Sequence, residues 1–475
     1  MKKYRVWFDG NEVDVKSAKA SALPLNKIWD GSQRPIDQCE EIYFVSIEFI
    51  KASDLIIEVE EEFESFEIRP NAYNLFFEQR EKSISINIDK PMQFSLETDG
   101  MHGALHIFID PPSVLPAKDK LIYFGPGEHK ADLIWLESGQ TVYIDRDAIV
   151  YGVIYSKDAN NIKIMGRGVL DSSPYRRGND YNEGGQEISN ALRSRGFSET
   201  DLKYYGNIVV NHCTNVLIEG IVLKDAPLWS LIVRNDSENV TIDNVKIIGQ
   251  WRYNSDGIDI CTSKNVTVRN CFVRSFDDCI VARGAYLEGE YGNVEGLTVE
   301  NCVLWCDWGK SLEVWCGHKP TTISNIRFKD IFLVHLSVTA INITTWYGSK
   351  KSVIDDVSYK NIFVDIDHKY MNPTVESSYR QGYTEKSGFL PRLISVSIEK
   401  LGKMIDLGSQ KIEENIDYTE FNIEYKNLSF ENVKCVGGNR QLDAVFEELS
   451  GVHKIENVSA RNCDFEIKIE KKEKL

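Results

Sequence analysis

A chain of 475 residues is longer than one ordinary compact domain, which leaves two domains or one elongated repeat domain. Its 42% hydrophobic and 27% charged residues are those of a folded protein, not a disordered or fibrous one. Lys and Arg number 55 against 72 Asp and Glu, and a net charge of −17 disfavours nucleic acid and anionic membrane as partners.

The first residues, MKKYRVWFDGNEVDV, carry two lysines with no apolar stretch behind them, so they do not read as a secretory signal. No run of about 18 apolar residues follows, so no membrane span is expected. The ten cysteines are scattered without a CxxC pair or zinc spacing, and read as reduced core residues. These features predict a cytoplasmic protein, with a secreted mature form as the alternative. Neither a metal nor a cofactor is called for, and oligomeric state is left open.

Residues 1–116 read as a small β-sandwich. Strand-like runs at Tyr43–Ile50, Leu55–Glu60, Ser83–Ile88 and Ala104–Ile109 alternate apolar and polar between charged turns. Pro111–Pro116 (PPSVLP) cannot join a sheet interior, because proline lacks the backbone donor, and this segment is the predicted boundary.

Residues 117–475 contain a repeat of the form Asn–apolar–x–apolar–x–Asn/Gly/Asp. It occurs at Asn161–Gly166, Asn215–Gly220, Asn239–Asn244, Asn265–Asn270, Gly296–Asn301, Asn325–Asp330, Asp356–Asn361, Asn427–Asn432 and Asn457–Asn462. From Asn215 the starts lie 24, 26, 31, 29 and 31 residues apart, the length of a coil of three short strands. One coil cannot bury its own apolar side, whereas a stack forms a continuous core with parallel strands. Asn and Gly at the corners tolerate left-handed backbone. A leucine-rich-repeat horseshoe is the rival, but LxxLxL and an intervening helix are missing. The fold class expected is therefore all-β: a sandwich followed by a right-handed parallel β-helix. The interval from Asp356 to Asn427 exceeds one coil, so an insertion is expected over 365–407.

In stacked coils, outward residues form ladders about 5 Å apart. Asn254-Ser255-Asp256-Gly257-Ile258-Asp259 precedes Ser275-Phe276-Asp277-Asp278-Cys279-Ile280, and 22 residues separate Asp256 from Asp278. Aligning inward Ile258 with inward Ile280 sets Asp256 beside Asp278, with Asp277 at the corner. Clustered carboxyls repel one another and raise at least one pKa, as general acid catalysis near neutral pH requires. A calcium site is the competing reading, but it would want glycine-rich DxDxDG spacing.

NSDGID followed by FDDCI resembles the signature of the polygalacturonase family of glycoside hydrolases, and LESGQTVYIDRDAIVYG with GRGVLD resembles its entry into the helix. The sandwich-first layout is also similar to the dextranase and isopullulanase family. The resemblance implies an inverting glycoside hydrolase of the pectin-lyase-like fold acting on an oligo- or polysaccharide. Asp277 would be its general acid, and Asp256 and Asp278 would activate water in one open groove. The family's GHG histidine is replaced by Lys310. Its basic RIK pair aligns with Asn342-Ile343-Thr344, so a neutral sugar is expected over galacturonate. Lys310, Glu313, Asp259, Asn254, Asn342, Trp308 and Trp315 are the candidate substrate contacts. Trp229, Trp251, Tyr253, Trp305, Trp346 and Tyr347 are further aromatics whose rings could stack on sugar. A true polygalacturonase, a lyase or epimerase, and a non-catalytic carbohydrate-binding β-helix are the alternatives.

Overall fold

The computed structural model describes residues 3–21, 39–175, 186–198, 206–286, 289–317, 319–345, 349–366, 391–398, 420–437 and 442–473. Two five-stranded sheets make the N-terminal sandwich. One contains Asn11–Val13, Tyr4–Phe8, Ser53–Val59, Ser83–Ile88 and Phe77–Arg80; the other contains Lys16–Ser21, Cys39–Glu48, Leu105–Asp110, Met92–Thr98 and Phe66–Arg69. Alternation works as expected in Ser53–Val59, where Leu55, Ile57 and Val59 point into the sandwich core and the residues between them are exposed.

From Leu121 to Lys472, 26 strands among the described residues stack in parallel as a right-handed β-helix. Three columns of strands run its length. The asparagine column includes Thr214–Glu219, Glu238–Asp243 and Lys264–Arg269, with Val216, Val240 and Val266 in register and buried. Asn215, Asn239 and Asn265 have φ of 56°, 57° and 52°, the left-handed backbone that their short polar side chains tolerate. At the other end of this column a second ladder forms, in which Asn301 Nδ2 donates to Asn270 Oδ1 at 2.8 Å.

A second column includes Val169–Asp171, Val222–Lys224, Lys246–Ile248 and Phe272–Ser275. Most of its outward side chains facing the sandwich are apolar where the repeat would allow polar ones, and the charged Lys246 and Arg274 among them pair with sandwich residues Asp110 and His106. Val222, Ile248, Phe272 and Trp305 pack on Ala18, Phe44 and Phe108. Trp305 is thereby committed to this interface, not to sugar. The third column, left uncovered by the sandwich, includes Leu231–Arg234, Ile258–Cys261, Ile280–Arg283, Lys310–Cys316, Thr339–Thr345 and Arg392–Ile398.

The insertion expected over 365–407 is corrected in part. Arg392–Ile398 is a strand of the helix, with Leu393, Ile394 and Val396 in its core, and Val357 pairs with Leu428 across one long coil. Residues 367–390 and 399–419 lie outside the described residues. All ten cysteines are free thiols. Among the described residues, no helix is long and apolar enough to cross a membrane.

Candidate active site

The carboxyls collect at the corner leading into the third column. Ile258 pairs with Ile280, and Gly257 N–H donates to Asp278 O at 2.8 Å, so Asp256 and Asp278 occupy equivalent places on adjacent coils. The next coil adds Lys310, whose carbonyl accepts from Cys279 N–H at 2.9 Å. Gly309 is required here by close approach: a Cβ on it would stand 2.5 Å from Asp278 N and Oδ1. Farther along the column, Asp259, Val281, Glu313 and Asn342 align across successive strands.

The sequence-based expectation of an open groove is corrected. Asp256, Asp277 and Asp278 lie outside the helix core but are only 2%, 6% and 4% exposed. Arg283 covers one side. Its guanidinium sits 4.4 Å from the Trp229 ring and 4.8 Å from the Trp315 ring. Tyr286 packs against Trp315 at 5.1 Å. On the other side Trp308 stacks on Phe276 and meets Tyr253 edge-on at 5.5 Å. Trp315 thus borders the carboxyl cluster through Arg283, and Trp308 packs on Phe276, the chain neighbour of Asp277. Trp251 lies against Arg252, which pairs with Asp225. Trp346 and Tyr347 lie outside the described residues.

Arg283 is the contact that the motif reading did not assign. Its Nη2 lies 3.0 Å from Asp256 Oδ2 and 2.8 Å from Asp259 Oδ1. The signal in the sequence was its register, since Arg283 stands three residues after Ile280, the partner of Ile258. Lys310 is consequently not the sole cation in the cluster. Its Nζ lies 3.6 Å from Asp278 Oδ1 and 3.2 Å from Glu313 Oε1. Asn254 Nδ2 donates to Asp277 Oδ2 at 3.3 Å, and Asn342 Nδ2 donates to Glu313 Oε1 at 2.8 Å.

Burial and neighbouring charges divide the carboxyls. Burial, then Asp259, Asp277 and Asp278, push Asp256 well above the usual carboxylate range against the pull of Arg283. Burial lifts Asp259 to about 7, although Arg283 opposes it. Burial and the Asp278 charge lift Glu313 to about 8. Burial alone would raise Asp278 too, but Lys310, a hydrogen bond with Glu313 and Arg283 outweigh it and hold that carboxyl low. One corner thus presents carboxyls that keep a proton beside one that has lost it, the pairing that acid–base chemistry needs. Among the described residues, no group of three or more His, Cys, Asp and Glu is arranged to hold a metal.

A pair of carboxyls, one protonated and one ionised, is the chemical equipment with which glycosidic bonds are hydrolysed. The chain belongs to glycosyl hydrolases family 28, whose sequence profile matches residues 134–389. It is 25% identical over 204 residues to a polygalacturonase of Medicago sativa, covering 37% of this chain and 46% of that one. It is 30% identical over 118 residues to a probable endopolygalacturonase A of Aspergillus niger, covering 24% of this chain and 29% of that one. The chain thus matches less than half the length of these curated relatives. Dex49A from Penicillium minioluteum shares the fold along 97% of this chain and 88% of its own, with a TM-score of 0.57 and 14% identity.

Proposed function

We propose that this protein is an inverting glycoside hydrolase whose catalytic unit is residues 117–475 and whose bound sugar at the cleavage point is neutral. Asp277 protonates the leaving oxygen. Asp256 and Asp278 face the attacking water from the opposite side, with Asp278, the ionised member, taking its proton. Asn254 orients Asp277 through its amide.

The observation that carries the neutral-sugar reading is the engagement of the two cations that the described residues pair with the cluster. Arg283 is bound to Asp256 and Asp259, and Lys310 to Asp278 and Glu313. On the next coil, in register with Glu313 and Trp315, stand Asn342 and Thr344, which are polar but uncharged. A uronate would enter beside several carboxyls whose cations are already paired, and like charges in near contact are costly.

The names of the curated relatives favour a second reading, hydrolysis of galacturonate. Matched assays on oligogalacturonate and on neutral glucan, galactan and rhamnose-containing oligosaccharides separate the two. Cleavage of the neutral substrates, with the first-formed anomer inverted by NMR, is the expected result. Efficient hydrolysis of oligogalacturonate alone would overturn the neutral-sugar reading. Binding without cleavage of any glycan would leave a carbohydrate-binding protein.

A further inference from the structure

We propose that Glu313 is a positioning residue for this reaction: it is the protonated half of a carboxyl pair and keeps the other half, Asp278, ionised and fixed in direction. The inference rests on the hydrolase reading above and gives a task to a residue that would otherwise be one more acidic contact.

Asp278 and Glu313 are both buried, and the cation ion-paired to each among the described residues is the same one, Lys310, with its Nζ 3.6 Å from Asp278 Oδ1 and 3.2 Å from Glu313 Oε1. One ammonium does not offset two buried carboxylates, and a proton on one of them removes the excess charge. Two carboxyl groups set over the same ammonium can hydrogen-bond to each other only if one of them carries a proton.

The donors around the pair decide which one. Asp278 Oδ1 accepts the backbone N–H of Lys310 at 2.8 Å and faces its ammonium at 3.6 Å. A main-chain donor cannot swing away, so it favours the ionised form at that oxygen. Glu313 Oε1 accepts from Asn342 at 2.8 Å and lies 3.2 Å from Lys310 Nζ, which fixes one oxygen and leaves the other for the proton shared with Asp278. The charged and titratable groups that act on Glu313 are Asp278 from the preceding coil, Lys310 on its own strand and Arg283 on the adjoining strand; the buried Tyr359 phenol also feels its charge. None supplies a second cation close enough to hold Glu313 ionised beside Asp278.

Glu313→Gln keeps a neutral donor at this place, whereas Glu313→Ala removes it. Two measurements on the full chain test the proposal. The first is thermal stability against pH, which needs no substrate. A carboxyl whose pKa is higher folded than unfolded costs stability as pH climbs between those values. Glutamine removes that slope, so Glu313→Gln should gain on the wild type steadily from pH 4.5 to about 8. A constant loss of stability across that range would show an ordinary ionised partner of Lys310 and overturn the proposal. The second measurement is the pH profile on whichever glycan is cleaved. Glu313→Ala should lower kcat by on the order of tenfold with KM little changed. Glu313→Gln should recover most of that loss and lack the wild type's fall in activity near pH 8. A rise in KM alone would instead make Glu313 a substrate contact and overturn its positioning role. Should the wild type cleave no glycan, the hydrolase reading fails, while the stability arm still decides the carboxyl pair.

Discussion

Nη2 of Arg283 lies 3.0 Å from Oδ2 of Asp256, and the guanidinium carrying that contact is held between the rings of Trp229 and Trp315. A planar fork can bind two carboxylates while its faces stack on aromatics, and a lysine ammonium cannot reproduce both. Arg283→Ala should therefore destabilise the protein by about 3–5 kcal/mol at pH 8, since it leaves the buried Asp259 carboxylate without its cation. The loss should shrink at pH 5, where Asp259 can take up a proton. Urea midpoints at the two pH values check this, and equal losses would show that ring packing, not charge, is what Arg283 supplies.

Asp277→Asn should fold as the wild type does and turn over about 10²–10⁴ times more slowly, the usual cost of losing general acid assistance. Circular dichroism and kcat on a cleaved oligosaccharide measure the two halves of this statement. A well-folded variant with near wild-type turnover would remove Asp277 from the acid role.

Lys246 on the helix and Asp110 on the sandwich form a fully buried ion pair across the interface between the two parts. Burial pulls the Lys246 ammonium below its ordinary pKa even with Asp110 beside it. Lys246→Ala alone strands a buried carboxylate and should cost about 3–5 kcal/mol, while Lys246→Met combined with Asp110→Leu should come close to neutral. Denaturant midpoints of the single and paired variants decide it. A double variant as unstable as the single one would mean that the pair, not the burial, carries the stability.

Acid should weaken the fold through two buried histidines before most carboxylates titrate. His106 accepts from Arg274 through Nε2 at 3.1 Å, and burial together with that guanidinium holds its pKa well below the usual histidine value. Burial lowers His453 to about 4. The unfolded chain binds protons at these rings from about pH 6.5 downward while the folded one does not, so stability falls as pH drops from 6.5 towards 4. The slope is up to about 1.4 kcal/mol per pH unit for each histidine. His453→Gln should flatten part of this decline in a pH series of melting temperatures. An unchanged slope would show that His453 already protonates in the folded state.

The sequence by itself determined what depends on neighbours along the chain and on the spacing between coils. Asparagine at a corner and valine two residues apart on a strand are local facts, so the left-handed backbone of Asn215, Asn239 and Asn265 and the inward set were readable in advance. The repeat then fixed the register of Ile258 with Ile280, and with it the nearness of Asp256, Asp278 and Lys310. Only the tertiary structure decided how that corner is covered and where each proton sits. Arg283 packs between Trp315, its partner on the adjacent strand, and Trp229 from two coils earlier, and Glu313 and Asp278 share Lys310 across coils, so neither contact is written in a motif. The sandwich likewise turns the outward face of one column into a core and draws Trp305 away from the site. Coverage removes water, and once water is gone the few remaining partners of a carboxyl, not its residue type, set its charge.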